Sequence, residues 1–315
     1  MRADGTHEGT TRSTAQDAGA GRESAREGHD GGGRETAGDG RWHWARSDDR
    51  RPSTELDTDV AHPARMYDYY LGGKDNFEAD RRAAEAAIAA YPALPLLARA
   101  NRAFLGRAVE YAAGLGIRQF LDIGTGIPAV GSTTEVARRV APDARVVYVD
   151  NDPIVATHTR ALLAGHRSGH TTVLEADLRD PGAILADPGL KQAVDLGEPV
   201  ALMLVAVLHF VRDDEGADEI VATLRDALAP GSVLILSHGS PDFAPEASAT
   251  EGARAYSRAS APLVLRERAR VEGFFGDFTP VEPGVVQLPL WRPGPEGLPE
   301  GWEAVSAYAG VAVKV

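Results

Sequence analysis

The sequence predicts an α/β fold, an open and mostly parallel seven-stranded sheet with an N-terminal helical cover. Three observations carry that expectation. Short apolar runs recur at 120–123, 145–149, 171–175, 199–208 and 232–238, each leading into a stretch with helical signals. The first run flows directly into a glycine turn, Gly124-Thr125-Gly126. Two further strand-like runs, 285–288 and 304–315, close the chain with turns and no helix between them, which fits an antiparallel pair at the sheet edge.

Taken in order, residues 1–55 are Gly, Arg, Glu, Asp, Ser and Thr with little that is apolar beyond Trp42 and Trp44. Such a segment buries too little surface to offset its ordering entropy, so a disordered polar tail is expected. A helical cover is expected over 56–116. Pro63 to Tyr70 reads as a short helix that Leu71-Gly72-Gly73-Lys74 breaks, and Asp75 or Asn76 is expected to cap a second helix through Ala90. A third helix, from Leu94 to Ala113, carries an apolar stripe at Leu97, Ala100, Phe104, Leu105, Ala108 and Ala112. Gly114 and Gly116 stop it.

The expected sheet domain spans 117–315. Phe120 to Ile123 is a buried strand, and Ser132-Thr133-Thr134-Glu135 is a capping-box pattern that opens the next helix. Arg145 to Val149 is the second strand, after which Asp152 caps a helix with Pro153 at its first position. Thr171 to Glu175 is the third, and Asp180-Pro181 repeats the cap. The run from Pro199 to Leu208 is too short to span a membrane and suits a central strand. A helix over 213–229 follows, with Asp213-Asp214-Glu215 at the positive end of its dipole. Ser232 to His238 is the fifth strand. Residues 239–252 read as a mobile lid, and 256–272 as a helix.

Bulk properties narrow the function classes. The net charge of −13 and the lack of a basic face argue against nucleic acid as a partner. With no cysteine, disulfides, thiolate metal sites and a cysteine nucleophile are excluded. The nine histidines show no metal-binding spacing, so no metal is expected. No signal peptide and no apolar run of 18 residues is visible, which predicts a soluble, cytoplasmic protein without a membrane partner.

The acid before the glycines is the most telling residue. In a dinucleotide-binding turn the slot of Asp122 is usually apolar, because a carboxylate there repels pyrophosphate. An acid suits a cationic ligand without phosphate, and S-adenosyl-L-methionine, with an ammonium and a sulfonium, is one. Asp122, Gly124, Thr125 and Gly126 are therefore candidate cofactor-binding residues. An acid at the tip of the second strand is placed to accept a ribose diol, which selects Asp150, with Asn151 beside it. Asp177 is a candidate acceptor for the adenine amino group, with Leu178 against the ring. Tyr67, Tyr70 and Asn76, around the Gly72-Gly73 turn, offer hydroxyls and an amide to the methionine end or to the methyl acceptor, and Lys74 a partner for a carboxylate. His209, at the tip of the fourth strand, is the candidate general base for an acceptor that must lose a proton, and His238 a weaker one. Two other readings stay open: an NAD(P)-dependent oxidoreductase, since Gly124 to Ala129 meets the loose form G-x-G-x-x-A, and a non-catalytic binder of the same cofactor that regulates through a partner. Pro128 speaks against the first, because it delays the helix that a dinucleotide fold needs close to the strand.

Several motifs together resemble a known family. Arg65 to Phe77 (RMYDYYLGGKDNF), Phe120 to Pro128 (FLDIGTGIP), Tyr148 to Pro153 (YVDNDP), Ala176 to Pro181 (ADLRDP), Val205 to Phe210 (VAVLHF), Phe274-Phe275, Val281 to Gly284 and Trp291-Arg292-Pro293 are similar to the actinobacterial S-adenosyl-L-methionine-dependent methyltransferases once named DUF574. The resemblance runs from about residue 55 to the C-terminus. It implies a class I Rossmann-like methyltransferase fold and small-molecule acceptors, often near secondary metabolism. One departure is that Thr133-Thr134-Glu135 stands where the family usually has an Asn-x-His-Glu-like helix start, so any role for that histidine is absent.

Overall fold

A computed structural model describes residues 58–164 and 170–315, all within one compact unit. The expected polar tail, with Trp42 and Trp44, lies outside the described residues. Three helices come first: α1 (Pro63–Tyr70), α2 (Glu78–Ala90) and α3 (Leu94–Gly114). The Nδ1 atom of His62 accepts the Ala64 N–H at 3.3 Å and so starts α1, with Pro63 in the first turn. Neither Asp75 nor Asn76 caps α2. Asp80, one turn inside, reaches back to accept the N–H groups of Phe77 (2.8 Å) and His62 (2.9 Å), and this one carboxylate ties the start of α2 to the start of α1. Asn76 instead donates to Asp68 at 2.8 Å and to the carbonyl of Gly73 at 3.1 Å, stapling the glycine turn.

The sheet contains β1 (Gln119–Ile123), β2 (Arg145–Asp150), β3 (Thr171–Glu175), β4 (Ala201–Val205), β5 (Val233–Gly239), β6 (Thr279–Pro280), β7 (Val286–Gln287) and β8 (Ala307–Val313). Its order is β3-β2-β1-β4-β5-β8-β6, with β7 also on β8. The first five strands are parallel, and β8 runs antiparallel to β5. Among the described residues eight strands are present where seven were expected, because two two-residue segments, not one, pair with β8.

Alternation along the parallel strands explains the layers. Leu121, Val147, Leu202 and Leu234 point to one face, covered by α6 (Pro181–Ala186), α7 (Pro188–Ala193) and α8 (Ala217–Asp226) together with Phe274 and Phe275. Phe120, Val146, Ala201 and Val233 point to the other, covered by α3, α4 (Thr133–Val140) and Trp291. Trp291 is fully buried, edge-on to Phe104 at 5.3 Å. Thus α3 belongs to the sheet layers, while α1 and α2 form a separate roof with α9 (Glu246–Ala255) through Met66, Tyr70, Ala84, Ala87 and Tyr256.

Two helical expectations are corrected. The helix over 213–229 is broken after one 3-10 turn, where Gly216 takes φ +79°, and resumes as α8. The lid segment 239–252 holds the first part of α9. The helix expected over 256–272 ends in a turn at Tyr256–Arg258, and α10 (Arg268–Gly273) starts only later. Between them, 259–267 runs extended past Pro262, which lacks the N–H a helix needs. The segment bonds to the strand tips instead: Val264 N–H to the carbonyl of His209 (2.8 Å) and Arg266 N–H to that of Gly239 (3.2 Å).

Candidate cofactor and acceptor site

The strand order reverses between β1 and β4, and a cavity of about 460 Å³ opens over the C-terminal ends of the strands at that switch point. One half lies over β1, β2 and β3. Gly124 and Gly126 turn the chain at φ +75° and +65°, a region costly to residues with a Cβ. A Cβ on Gly124 would also collide with the Val207 side chain. The turn is pinned from behind: the Gly126 N–H donates to Oδ2 of Asp150 at 2.9 Å, and the Asp152 N–H to its Oδ1 at 3.0 Å.

Asp122 is buried at the end of β1 and accepts the Thr133 hydroxyl at 2.6 Å. Burial pushes its carboxyl up to about 6, against the pull of that hydroxyl and of Arg102. Burial likewise raises Asp150 to about 6, opposed by its two backbone donors. The cavity therefore holds two carboxylates at β1 and β2 that favour a cation or hydrogen-bond donors. Next to them, Asp177 accepts from Asn151 at 3.2 Å and from the N–H of Arg179 at 2.9 Å. Burial works against its charge, but those donors and the Arg179 guanidinium outweigh it and hold Asp177 below the usual carboxylate range. Leu178 lies beside it on the wall.

The other half lies over β4 and β5, roofed by α1 and α9. A polar relay crosses it. Ser237 donates to Oδ1 of Asn101 at 2.6 Å, Asn101 donates to the Tyr67 oxygen at 3.0 Å, and Tyr67 donates to the carbonyl of Ala98 at 2.9 Å. The hydroxyls of Tyr70 and Tyr256 pair at 2.9 Å. Burial raises both, Tyr256 to about 12. His209 stands in a 3-10 turn just after β4 (Leu208–Phe210), its ring 4.4 Å from that of Phe210. The Gly239 N–H donates to its Nδ1 at 3.3 Å. Behind it, buried Arg266 donates to the carbonyls of Leu208 (3.1 Å) and Val211 (2.8 Å), to Asp213 (2.8 Å) and to Nε2 of His238 (2.8 Å).

Of the residues singled out from the sequence, Asp122, Gly124, Thr125, Gly126, Asp150, Asn151, Asp177, Leu178, Tyr67, Tyr70, His209 and His238 all line this cavity. Asn76 and Lys74 do not: the Asn76 amide is used by the glycine turn, and Lys74 is exposed. Asp152 caps α5 (Pro153–Ala164) by accepting the Ile154 N–H at 2.8 Å. It also lies 3.5 Å from the Arg65 guanidinium, an ion pair that fastens the roof to the tip of β2. Missed from the sequence were Asn101, Ser237, Tyr256 and Arg266. Asn101, a buried polar residue on the inner stripe of α3, was the one visible signal; the others are brought in by tertiary contact alone.

Among the described residues no cluster of His, Asp or Glu could hold a metal ion, and no helix is long and apolar enough to cross a membrane. A family model described as S-adenosyl methyltransferase matches residues 49–315. A crystal structure of a DUF574 family protein from Streptomyces avermitilis MA-4680 is 46% identical, covers 82% of this chain and 100% of its own, and superposes with a TM-score of 0.78. A protein of Thermobifida fusca YX described as a candidate methyltransferase is 44% identical, covers 84% of this chain and 99% of its own, with a TM-score of 0.76. No match was found among curated protein sequences.

Proposed function

The chain belongs to the S-adenosyl methyltransferase family, and from that premise we propose that it methylates a small-molecule acceptor held in the β4–β5 half of the cavity. The observation that carries this reading is the roof. The chamber beside the glycine turn is closed over by α1 and α9, where Tyr70 of α1 and Tyr256, just after α9, meet above it. A volume of about 460 Å³ in all suits a cofactor and a compact partner, not a protein or nucleic-acid chain.

The residues present fit S-adenosyl-L-methionine. The bare Gly124–Gly126 backbone leaves room beside β1, and two buried carboxylates face a ligand with a positive charge and a diol. When bound, this cofactor supplies a methyl group on a cationic sulfur that leaves as a neutral thioether. Asp150 keeps a lone pair on each oxygen beyond its two backbone donors, enough to accept a ribose diol. Asp177 and Leu178 offer an acceptor and an apolar face to the adenine. The roof excludes water and holds the acceptor in line, and alignment of this kind can supply about 7–11 kcal/mol of the barrier.

The test is where label goes. The purified chain, incubated with methyl-tritiated cofactor and an actinobacterial cell extract, is expected to label the low-mass fraction. Label found in precipitated protein or nucleic acid would overturn the small-molecule reading.

A further inference from the structure

The two halves of the cavity differ in charge. Over β1 to β3 stand the acids Asp122, Asp150, Asp152 and Asp177 and the cations Arg65, Arg102 and Arg179. Arg65 pairs with Asp152 at 3.5 Å, and Arg102 donates to the carbonyls of Val130 (3.3 Å) and Gly131 (3.2 Å). Among the described residues, the lining over β4 and β5 is tyrosines, serines, Asn101, two histidines and aliphatic side chains, with no Asp, Glu, Lys or Arg. Arg266 does not line the chamber, and its donors are spent on two carbonyls, Asp213 and His238. The charge of Arg102, at the β1 side of the cavity, acts on Asp122 and Tyr67.

The hydrogen bonds also assign the tautomers of both histidines. His238 lies between an acceptor, the Gly239 carbonyl at 2.7 Å from Nδ1, and a donor, the Arg266 guanidinium at 2.8 Å from Nε2. Its proton is therefore on Nδ1. His209 faces the opposite arrangement. Its Nδ1 accepts the Gly239 N–H, so in the neutral ring the proton is on Nε2, which has no partner among the described residues. Burial, together with the charge of Arg266, lowers His209 to about 3, so the neutral ring persists at any working pH. Every group packed on the ring agrees: Phe210 is apolar, His238 is neutral, and Asp213 is bound to Arg266. A ring with Nδ1 occupied and Nε2 protonated has no lone pair with which to take a proton.

We propose that the acceptor is an uncharged, largely apolar nitrogen compound, an amine free base or a nitrogen heterocycle, that a neighbouring oxygen or nitrogen of it accepts Nε2–H of His209, and that no protein group removes its proton. This rests on the reading of the site as a methyltransferase site. A carboxylate acceptor finds no counter-ion in the chamber, and a phenol or thiol needs a base that His209 cannot be. Neutral nitrogen carries its lone pair already. In the step, that lone pair forms the N–C bond, and the C–S bond breaks with its electron pair kept by sulfur. The positive charge passes to nitrogen, and any N–H proton goes to water after release. The total charge of cofactor and acceptor is the same before and after, one positive charge that moves from sulfur to nitrogen.

The test is nitrogen NMR of the 15N-labelled chain saturated with S-adenosylhomocysteine, with His209 assigned by its loss in His209→Gln or, if that variant does not fold, by its ring contacts to Phe210. His209 is expected as a neutral ring protonated on Nε2, and His238 on Nδ1, both unchanged between about pH 5.5 and 8.5. A His209 proton on Nδ1, or a titration within that window, overturns the proposal. So does methylation of phenols or carboxylates, but not of matched nitrogen heterocycles, with a basic pH limb that His209→Gln removes. The saturation step itself reports on the underlying reading: without S-adenosylhomocysteine binding the methyltransferase site falls, while the tautomer result still stands on its own.

Discussion

Asp150 faces the cavity while both of its oxygens hold backbone N–H groups, of Gly126 and Asp152. Asp150→Ala is therefore expected to weaken S-adenosyl-L-methionine by roughly 10- to 150-fold, the worth of a charged hydrogen bond of about 1.5–3 kcal/mol, and to loosen the glycine turn as well. Asp152→Ala should cost about 1 kcal/mol as a lost helix cap, with a smaller effect on binding. Titration calorimetry on the two variants decides between them: cofactor binding lost in Asp152→Ala and kept in Asp150→Ala would exchange their roles. Two buried carboxyls of the cavity set a pH dependence. Asp122 and Asp150 titrate near 6 when folded and near 3.8 when not, so the folded chain binds protons the unfolded chain has released. Their burial costs nothing below 3.8 and costs stability as pH rises through 6. A cationic ligand favours the ionised pair, so affinity for S-adenosyl-L-methionine is expected to be flat above pH 7. Below 6 it should fall by up to about tenfold per pH unit for each linked proton. Affinity that rises on acidification contradicts this.

The glycine turn and the extended strap show which elements were legible. Asp122, Asp150 and the two glycines could be read because strand, turn and helix are local and each has its own residue chemistry. Gly124→Ala is expected to destabilise the chain by about 2–5 kcal/mol, from the positive φ and the collision with Val207, and to abolish S-adenosylhomocysteine binding in whatever folded protein remains. An unchanged melting temperature would show that the turn relaxes. The strap at 259–267 falls inside the helix expected over 256–272 and is extended instead, because its bonds go to His209 and Gly239, far away in sequence. Pro262 was the local warning. Arg266 within the strap satisfies the carbonyls of Leu208 and Val211, so Arg266→Leu should cost roughly 3 kcal/mol through stranded buried acceptors, visible as a lower midpoint in urea.

At the scale of the molecule, a parallel sheet opens a cavity at its switch point, and a helical roof sewn on by Asp80, Asp152 and the Tyr70–Tyr256 pair closes it over β4 and β5. The parallel strands and the antiparallel edge were legible in the rhythm of apolar runs, and a helical cover before the sheet was expected; that α1 and α9 meet was not, since nothing in either helix alone says so. Residues 1–55 lack the apolar content to join a core, so a chain starting near residue 56 is expected to keep its melting temperature and its affinity for S-adenosylhomocysteine. A loss of many degrees would contradict this. The central claim is that the cavity over β1 to β3 is built for a cationic, phosphate-free nucleoside. Titration calorimetry of the purified chain with S-adenosyl-L-methionine, S-adenosylhomocysteine and NAD tests it most directly. Saturable binding of the first two with one site per chain, and none of NAD, is expected; tight NAD binding with no heat from S-adenosyl-L-methionine would contradict it.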